Sequence, residues 1–243
     1  MAVVSSTTNS TIKAVAGLKR RKERDQTGRI LVEGPTLFAA ATGAGLIPEM
    51  LLVTPGDSFS IAAAERTGVV PILVTDRVLA SVADTKHPQS PVAVFDRPPP
   101  TPVPYDDVVV LVGVGDPGNA GTIIRTAVAF RWAVVTTPAT VDLWSPKTLR
   151  SGAGAHFAAA ISRIDGIDEL ADHTKVATVV SGGHHEVATG GPYALLVGSE
   201  AHGLDPQTVA ACDISYTIPM PGPVESLNAS VAAALAMVAI SRR

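Results

Sequence analysis

Short aliphatic runs alternate with amphipathic helical segments along most of the chain. In the first hundred residues, the runs typical of strands are 29–33, 50–54, 69–74 and 92–95. A helix rich in basic residues precedes the first run, and Pro35 marks the first turn of the helix that follows it. This alternation predicts a small α/β domain over residues 1–97.

A proline-rich segment follows this domain. Five of the eight residues from Arg97 to Pro104 are proline, which removes backbone donors and favours an extended polyproline conformation. Such a segment cannot lie inside a sheet. We therefore predict a stiff linker over residues 98–104.

The remaining residues, 105–243, show the pattern of a parallel sheet. Val108 begins a continuous aliphatic run, as expected for a strand that is buried on both faces. Further strand candidates are residues 133–137, 176–180, 194–197 and 214–218, and a last helix is predicted over 226–242. Open parallel sheets bind ligands outside the carboxyl ends of their strands, so we expect the site of this domain there.

Composition narrows the class of protein. The 243 residues are 46% hydrophobic and 17% charged, with one cysteine, which excludes an internal disulfide and a multi-cysteine zinc site. The adjacent His184 and His185 lack the spacing of metal ligands. The apolar run at 231–240 is about half of a membrane span, and the N-terminal residues show no export signal. We therefore expect a cytoplasmic protein with no membrane segment and no metal.

Basic residues are concentrated near the N-terminus. Between Lys13 and Arg29 there are seven basic and two acidic residues, a local charge of +5 within a net charge of −3. The candidate contacts to RNA phosphates are Lys19, Arg20, Arg21, Lys22 and Arg24. The alternative interpretation is a solvated helix face with pairs such as Lys19 and Glu23.

A glycine pattern raises a different possibility. Residues 113–118 read Gly-Val-Gly-Asp-Pro-Gly between a predicted strand and a predicted helix, which matches the dinucleotide-binding pattern. Two features disfavour it: the next strand ends without an acidic residue for a ribose hydroxyl, and Pro117 removes a backbone donor. An NAD-dependent oxidoreductase is therefore kept only as an alternative.

Three segments of the second domain carry a family resemblance. They read Asp-Pro-Gly-Asn-Ala-Gly-Thr-Ile-Ile-Arg at 116–125, Leu-Leu-Val-Gly-Ser-Glu-Ala-His-Gly-Leu at 195–204 and Ile-Pro-Met-Pro-Gly-Pro-Val-Glu-Ser-Leu-Asn at 218–228. In this order they resemble the three motifs of the SpoU (TrmH-like) family of RNA ribose 2′-O-methyltransferases. The basic segment followed by Val-Glu-Gly-Pro at 32–35 resembles the RNA substrate-binding domain that many members carry.

The resemblance implies a fold, a cofactor and partners. The implied fold is α/β, with a C-terminal parallel-sheet trefoil-knot (SPOUT) methyltransferase domain over 105–243 and a smaller N-terminal L30e-like α/β domain. The implied methyl donor is S-adenosylmethionine. The implied partners are RNA, with ribosomal RNA expected from the N-terminal domain, and a second copy of the chain bound through the C-terminal domain.

The resemblance also assigns roles to single residues. Its catalytic positions correspond to Asn119, Arg125, Glu200, Ser226 and Asn228. Its cofactor-binding positions correspond to Gly198, Ile218 and Leu227, and Met220 adds an apolar wall beside them.

Elementary geometry gives some of these residues chemical roles. Asn119 is predicted as the N-cap of a helix, and Arg125 shares a helix face with Gly121. Because helical side chains lean toward the N-terminus, the guanidinium of Arg125 is expected beside Asn119, where it suits an RNA phosphate and a developing alkoxide. A capped surface helix with a solvated arginine is the alternative.

The second and third motifs suggest further local roles. Gly198 follows a strand directly, so a ligand is expected to approach its backbone. Glu200 is expected to order its loop or to cross a dimer interface. Ser226 and Asn228 are expected to cap the last helix, to hold a ribose, or both.

Together these observations predict an S-adenosylmethionine-dependent RNA 2′-O-ribose methyltransferase that acts on ribosomal RNA. A tRNA 2′-O-methyltransferase and a non-catalytic RNA-binding protein are the alternative hypotheses beside the oxidoreductase.

Overall fold

The chain forms two compact units in the computed structural model, which describes residues 2–187 and 190–241. The first unit comprises the residues up to Pro98 together with Asp142–Phe157. The second unit comprises Pro99–Val141 together with the residues from Ala158 onward. Each unit is built around its own β-sheet.

The helices and strands alternate in both units. Up to residue 98 they are α1 Ser10–Gly17, α2 Arg21–Thr27, β1 Arg29–Glu33, α3 Pro35–Gly43, β2 Met50–Val53, α4 Ser58–Thr67, β3 Ile72–Leu73, α5 Asp76–Val82 and β4 Val92–Asp96. After it they are β5 Val108–Leu111, α6 Pro117–Ala129, β6 Ala133–Thr136, α7 Pro146–Ser151, β7 Ile161–Arg163, β8 Thr174–Thr178, β9 Tyr193–Val197, α8 Pro206–Ala210, β10 Ile214–Tyr216 and α9 Ala229–Ser241. Across the described ranges, none of these helices has the length and apolar character needed to span a bilayer.

The first unit has a four-stranded sheet in the order β1-β4-β2-β3, antiparallel except for the β2–β3 pair. Successive side chains of a strand point to opposite faces, so Leu31 and Ile30 of β1 belong to two different cores. Helices α1 and α5 cover the Leu31 face, and α3 and α4 cover the Ile30 face. The result is a small domain with helices on both faces of its sheet.

A segment that lies between β6 and β7 in the chain packs with the first unit. Leu149 of α7 is fully buried in the same core as Phe38 and Phe95. The sequence predicts one domain over 105–243, whereas Asp142–Phe157 groups with the first unit by its contacts. Apolar periodicity shows that a helix buries one face, but not which core buries it.

The second unit has a six-stranded sheet in the order β10-β8-β9-β5-β6-β7, in which every neighbouring pair is parallel. All four residues of β5 are buried, as the continuous aliphatic run predicted. Helix α9 packs against α6 and β9. The parallel sheet expected from the sequence is therefore confirmed.

Several element predictions needed correction. The single basic helix is two helices, α1 and α2, and α5 and β7 were not predicted. Strand β8 begins two residues before the predicted run, and β3 covers only two residues of its predicted run. The last helix begins at Ala229 rather than at Ser226, and its predicted end at Arg242 lies outside the described residues.

Candidate functional site

A cavity of about 410 Å³ opens at the carboxyl edge of the parallel sheet. Its walls come from the ends of β8, β9 and β10, from the loop at residues 198–203 and from the start of α9. The predicted cofactor-binding residues all line it: Gly198, Ile218, Met220 and Leu227. The cavity lies where the rule for open parallel sheets places a ligand, and its volume is in the range of small-ligand sites.

The loop at 198–203 folds back tightly on itself. Ser199 and Gly203 exchange two backbone hydrogen bonds, of 3.1 and 2.8 Å. A Cβ at Gly198 would lie 2.2 Å from the carbonyl carbon of Gly203 and 2.3 Å from the backbone nitrogen of Leu204. Glycine is therefore needed at 198 so that the loop can close, which is a different reason from the ligand approach expected from the sequence.

Glu200 connects this loop to the start of α6. Its Oε2 accepts from the backbone N–H of Gly115 at 3.1 Å, and its Oε1 accepts from the N–H of Asp116 at 3.2 Å. The same Oε1 accepts from Nδ2 of Asn119 at 2.8 Å. Burial by itself raises the pKa of Glu200, but these hydrogen bonds hold that pKa below its usual range.

Asn119 lies between Glu200 and the start of α9. It is only 8% exposed, and its Oδ1 accepts from Nδ2 of Asn228 at 2.9 Å. The N-cap of α6 is Asp116, whose Oδ1 accepts from the backbone N–H of Asn119 at 2.9 Å. The prediction of Asn119 as the N-cap is therefore wrong. The pair Asp116-Pro117 carried the signal, because Pro is favoured at the first helical position after an N-cap.

Asn228 completes the connection by capping α9. Its Oδ1 accepts from the backbone N–H groups of Ser230 and Val231, at 2.9 and 3.3 Å, and from the hydroxyl of Ser230. Glu200, Asn119 and Asn228, one residue from each motif, thus form a continuous hydrogen-bonded chain that we call the polar triad. Glu200 and Asn228 also line the cavity.

The structure does not bring the other two catalytic candidates into the polar triad. Ser226 lines the cavity and makes no hydrogen bond to the described part of the chain. Arg125 is exposed on α6, does not line this cavity, and has no hydrogen bond or ion pair within residues 2–187 and 190–241. The guanidinium was expected beside Asn119, but within the described residues no hydrogen bond joins the two, and the Asn119 amide bonds to Glu200 and Asn228 instead.

Arg24 is not available to RNA. It is 2% exposed, and its Nη1 donates to the backbone carbonyls of Leu18 and Lys19 at 2.6 and 2.8 Å. Its Nε and Nη2 donate to Oδ2 of Asp142 at 2.9 and 2.5 Å. The prediction of a phosphate contact at Arg24 is corrected, since this guanidinium is a structural anchor for residue 142.

The other basic candidates differ in exposure. Lys19 is half-buried, and its Nζ donates to the carbonyl of Ser81 at 2.9 Å and to that of Ala83 at 3.3 Å. Arg20, Arg21 and Lys22 are exposed. Arg20 and Arg21 form local ion pairs with Glu23 and Asp25, at 3.1 and 3.5 Å. Exposed local pairs of this kind are weak, so these guanidinium groups can exchange partners.

The fold and the site define a class of protein. An all-parallel α/β sheet with a ligand cavity at its carboxyl edge, and a polar triad on the rim of that cavity, is the arrangement of an enzyme domain that binds a small cofactor. Within the described ranges, no three His, Cys, Asp or Glu side chains are grouped so that they could hold a metal ion. The same chain carries a second α/β domain with its own core.

Comparison with known proteins identifies the family. The model of the SpoU rRNA Methylase family matches residues 106–238, and that of the MRM3-like substrate binding domain matches residues 9–93. The chain belongs to the SpoU rRNA Methylase family. This confirms the resemblance, the α/β fold with an N-terminal domain, and the enzyme class, RNA 2′-O-methyltransferase.

Individual relatives match over nearly the whole chain. The 23S rRNA (guanosine(2553)-2′-O)-methyltransferase RlmP of Bacillus subtilis is 34% identical over 97% of this chain and 97% of its own length. The AdoMet-bound rRNA methyltransferase of Sinorhizobium meliloti has a TM-score of 0.87 with 28% identity, covering 99% of this chain and 97% of that one. The SpoU methyltransferase AviRb of Streptomyces viridochromogenes, in complex with AdoMet, has a TM-score of 0.84 with 26% identity and covers 96% and 97%.

Proposed function

We propose that this chain transfers a methyl group from S-adenosylmethionine to a ribose 2′-hydroxyl of ribosomal RNA. Family membership and the Bacillus subtilis relative, which is named for 2′-O-methylation of 23S rRNA, support the reaction and the substrate class. Two structural relatives named with bound AdoMet support the methyl donor. The observation that carries the proposal is the polar triad beside the cavity, because it links all three motifs at one place.

The residues of the cavity fit a nucleoside-bearing donor. Ile218, Met220 and Leu227 offer a partly buried apolar wall for an adenosine, while Glu200 and Asn228 provide polar groups on the exposed rim. S-adenosylmethionine, when bound, supplies an electrophilic methyl carbon on its sulfonium. The protein then has to align the ribose oxygen with this carbon and stabilise the charge that develops on that oxygen.

Arg125 and Ser226 take the remaining roles in this proposal. The free guanidinium of Arg125 binds the RNA phosphate and stabilises the developing alkoxide, since a guanidinium stays protonated and donates up to five hydrogen bonds. The hydroxyl of Ser226 and the amide of Asn228 hold the ribose near the methyl group. Neither Arg125 nor Ser226 has a competing hydrogen bond in the described part of the chain, which supports their assignment to substrate.

Residues 1–97 bind the RNA in this proposal, the linker spans 98–104 and catalysis belongs to 105–243. The matched substrate-binding domain model supports the first assignment. Arg20, Arg21 and Lys22 are the exposed basic residues through which the first unit meets phosphates. Deletion of 1–97 does not test this division, because it would uncover Leu149 and leave the buried Asp142 without Arg24.

The proposal includes a homodimer, a trefoil knot and a cytoplasmic location. Val231 and Leu235 lie one turn apart on α9 and are each 46% exposed, which supports a second copy of this chain as the partner that covers them. The TM-scores with other SpoU-type enzymes support the knot. A bacterial relative named for action on 23S rRNA supports the location.

The central experiment incubates the full chain with a labelled methyl donor and total RNA, followed by mapping of the modified ribose. Label at a single 2′-O position of ribosomal RNA is expected, and label confined to tRNA or no label would overturn the substrate class. An Arg125→Lys variant is expected to lose about 100-fold in single-turnover rate on bound RNA. Near-normal turnover of Arg125→Lys would show that the planar guanidinium, with its several donors, is not needed.

The homodimer has its own test. Light scattering of the purified chain is expected to give twice the mass of the monomer, and the double variant Val231→Glu, Leu235→Glu is expected to give the monomer mass. Val3→Glu, at another exposed valine, is the control and should keep the dimer. A monomeric wild-type chain would contradict the dimer.

A further inference from the structure

His202 stands at the mouth of the cavity and is not used by the polar triad. It is exposed, lines the cavity and lies at the tip of the loop that begins at Gly198. Its backbone N–H donates to Oγ of Ser199 at 3.3 Å, and the paired Ser199 and Gly203 hold the two ends of the turn. The position of residue 202 on the rim is therefore fixed by the loop, while its imidazole has no hydrogen bond in the described part of the chain.

Charge distinguishes His202 from its neighbours. Among the cavity-lining residues that the structure describes, it is the one side chain that can carry a positive charge, since none of them is Lys or Arg. Glu200 is the one carboxylate among them, and its oxygens already accept from Gly115, Asp116 and Asn119. An anionic group in this cavity is repelled by Glu200, whereas an imidazole N–H of His202 can donate a hydrogen bond to it.

The chemistry of the donor supplies such an anionic group. On the basis of the function proposed above, the ligand is an adenosine joined through sulfur to an amino-acid tail that ends in a carboxylate and an ammonium. The adenosine fits the partly buried apolar wall at Ile218 and Leu227. The strongly hydrated tail belongs at the exposed mouth, because burying its charges without partners is costly.

We propose that the imidazole of His202 binds the carboxylate of the amino-acid tail of the donor. This makes His202 a residue that distinguishes ligands with the tail from the adenosine alone, apart from any role in methyl transfer. A charge-assisted hydrogen bond at an exposed rim contributes about tenfold to affinity.

The test is calorimetry of the full chain with two ligands, S-adenosylhomocysteine and 5′-methylthioadenosine, which share the adenosine and the sulfur but differ in the tail. His202→Ala is expected to weaken S-adenosylhomocysteine about tenfold and to change 5′-methylthioadenosine less than twofold. His202→Lys, which keeps a nitrogen donor at this position, is expected to stay within about threefold of the wild type for both ligands. His87→Ala, at an exposed histidine of the first unit, is the control.

Two results would overturn the inference and leave the proposed function in place. One is unchanged affinity of His202→Ala for S-adenosylhomocysteine, which would mean that backbone N–H groups hold the tail. The other is an equal loss for both ligands, which would mean that His202 supports the shape of the loop. If the wild type binds neither ligand, the proposed function fails as well.

Discussion

Each unit contains a polar cluster that links distant parts of the chain, and the two clusters differ in their access to solvent. In the first unit, Arg24 and Asp142 are closed off, with side chains 3% and 10% exposed. In the second unit, the polar triad joins a buried Asn119 to Glu200 and Asn228, which are exposed and border a cavity. In the first cluster the donors of Arg24 bind acceptors inside the protein. In the second cluster, the side chains of Glu200 and Asn228 remain accessible to a ligand in the adjoining cavity.

This difference separates stability from function. A buried charge needs its partner, so a closed cluster that loses one member destabilises the fold strongly. An open cluster can be hydrated when a member is lost, so the effect on stability is small and the effect on a bound substrate is large. We therefore expect variants in the first unit to change unfolding and variants in the polar triad to change methyl transfer.

The largest effect on stability is expected for Arg24→Ala. This change leaves the Asp142 carboxylate buried without its cation and removes the donor to the carbonyls of Leu18 and Lys19. We expect the free energy of unfolding to fall by about 3–5 kcal/mol, measured by urea denaturation. Arg20→Ala removes an exposed pair and should cost less than about 1 kcal/mol. Equal losses of unfolding free energy in Arg24→Ala and Arg20→Ala would contradict the stabilising role of the closed cluster.

His156 is another buried ionisable side chain of the first unit, and it differs from Arg24 in its hydrogen-bond partners. It is 2% exposed, packs 5.8 Å from the ring of Trp144, and neither ring nitrogen meets a hydrogen-bond partner in the described part of the chain. Burial lowers the pKa of His156 from 6.5 to about 4. The nearby backbone of Leu143 acts in the opposite direction, raising that pKa, but does not offset the effect of burial.

This pKa predicts a loss of stability in acid. Between about pH 6.5 and 4 the unfolded chain binds a proton that the folded chain does not, so the free energy of unfolding falls as the pH drops, by up to about 3 kcal/mol. His156→Phe is expected to flatten this dependence in urea unfolding at pH 7.5 and 5. The matched change at the exposed His87 should leave it unaltered, and a dependence that survives in His156→Phe would refute the assignment.

In the polar triad, Asn119→Ala is expected to separate activity from stability. The change removes the connection between Glu200 and Asn228 while the cavity walls stay in place. We expect the single-turnover rate of RNA methylation to fall about 100-fold and the affinity for S-adenosylhomocysteine to change less than about threefold. Thr122→Ala, an exposed position one turn further along α6, should keep the rate. Loss of affinity in parallel with the rate would place Asn119 in cofactor binding.

Local sequence patterns predicted the parallel sheet of the second unit well. The runs at β5, β6 and β9 are mostly buried and largely aliphatic, so their type and parallel arrangement follow from the pattern. Of the five catalytic candidates from the motifs, Glu200, Asn119 and Asn228 are bonded in a chain, whereas Arg125 and Ser226 make no hydrogen bond to it in the described part of the protein.

The sequence did not predict which polar residues become buried. Arg24 looks like its neighbours Arg21 and Lys22 in the sequence, and only the position of Asp142, 118 residues away, makes it an anchor. In the same way, Leu149 is the one aliphatic side chain of α7, and its local sequence does not show which core contains it. Both outcomes depend on long-range contacts, which hydrophobic period and local charge do not encode.

The smallest effect is expected for the stability contribution of Glu200. Hydrogen bonds from Asn119 and from the amides of Gly115 and Asp116 outweigh burial and lower its pKa, so its stabilisation is present at neutral pH and is lost as the pH falls through that lowered value. Because the carboxylate is exposed, Glu200→Gln should lower the free energy of unfolding by less than about 1 kcal/mol at pH 7. In urea unfolding the difference between the two proteins should shrink as the pH is lowered from 7 through the acidic range. A loss as large as that of Arg24→Ala would show that the open cluster stabilises the fold as the closed one does.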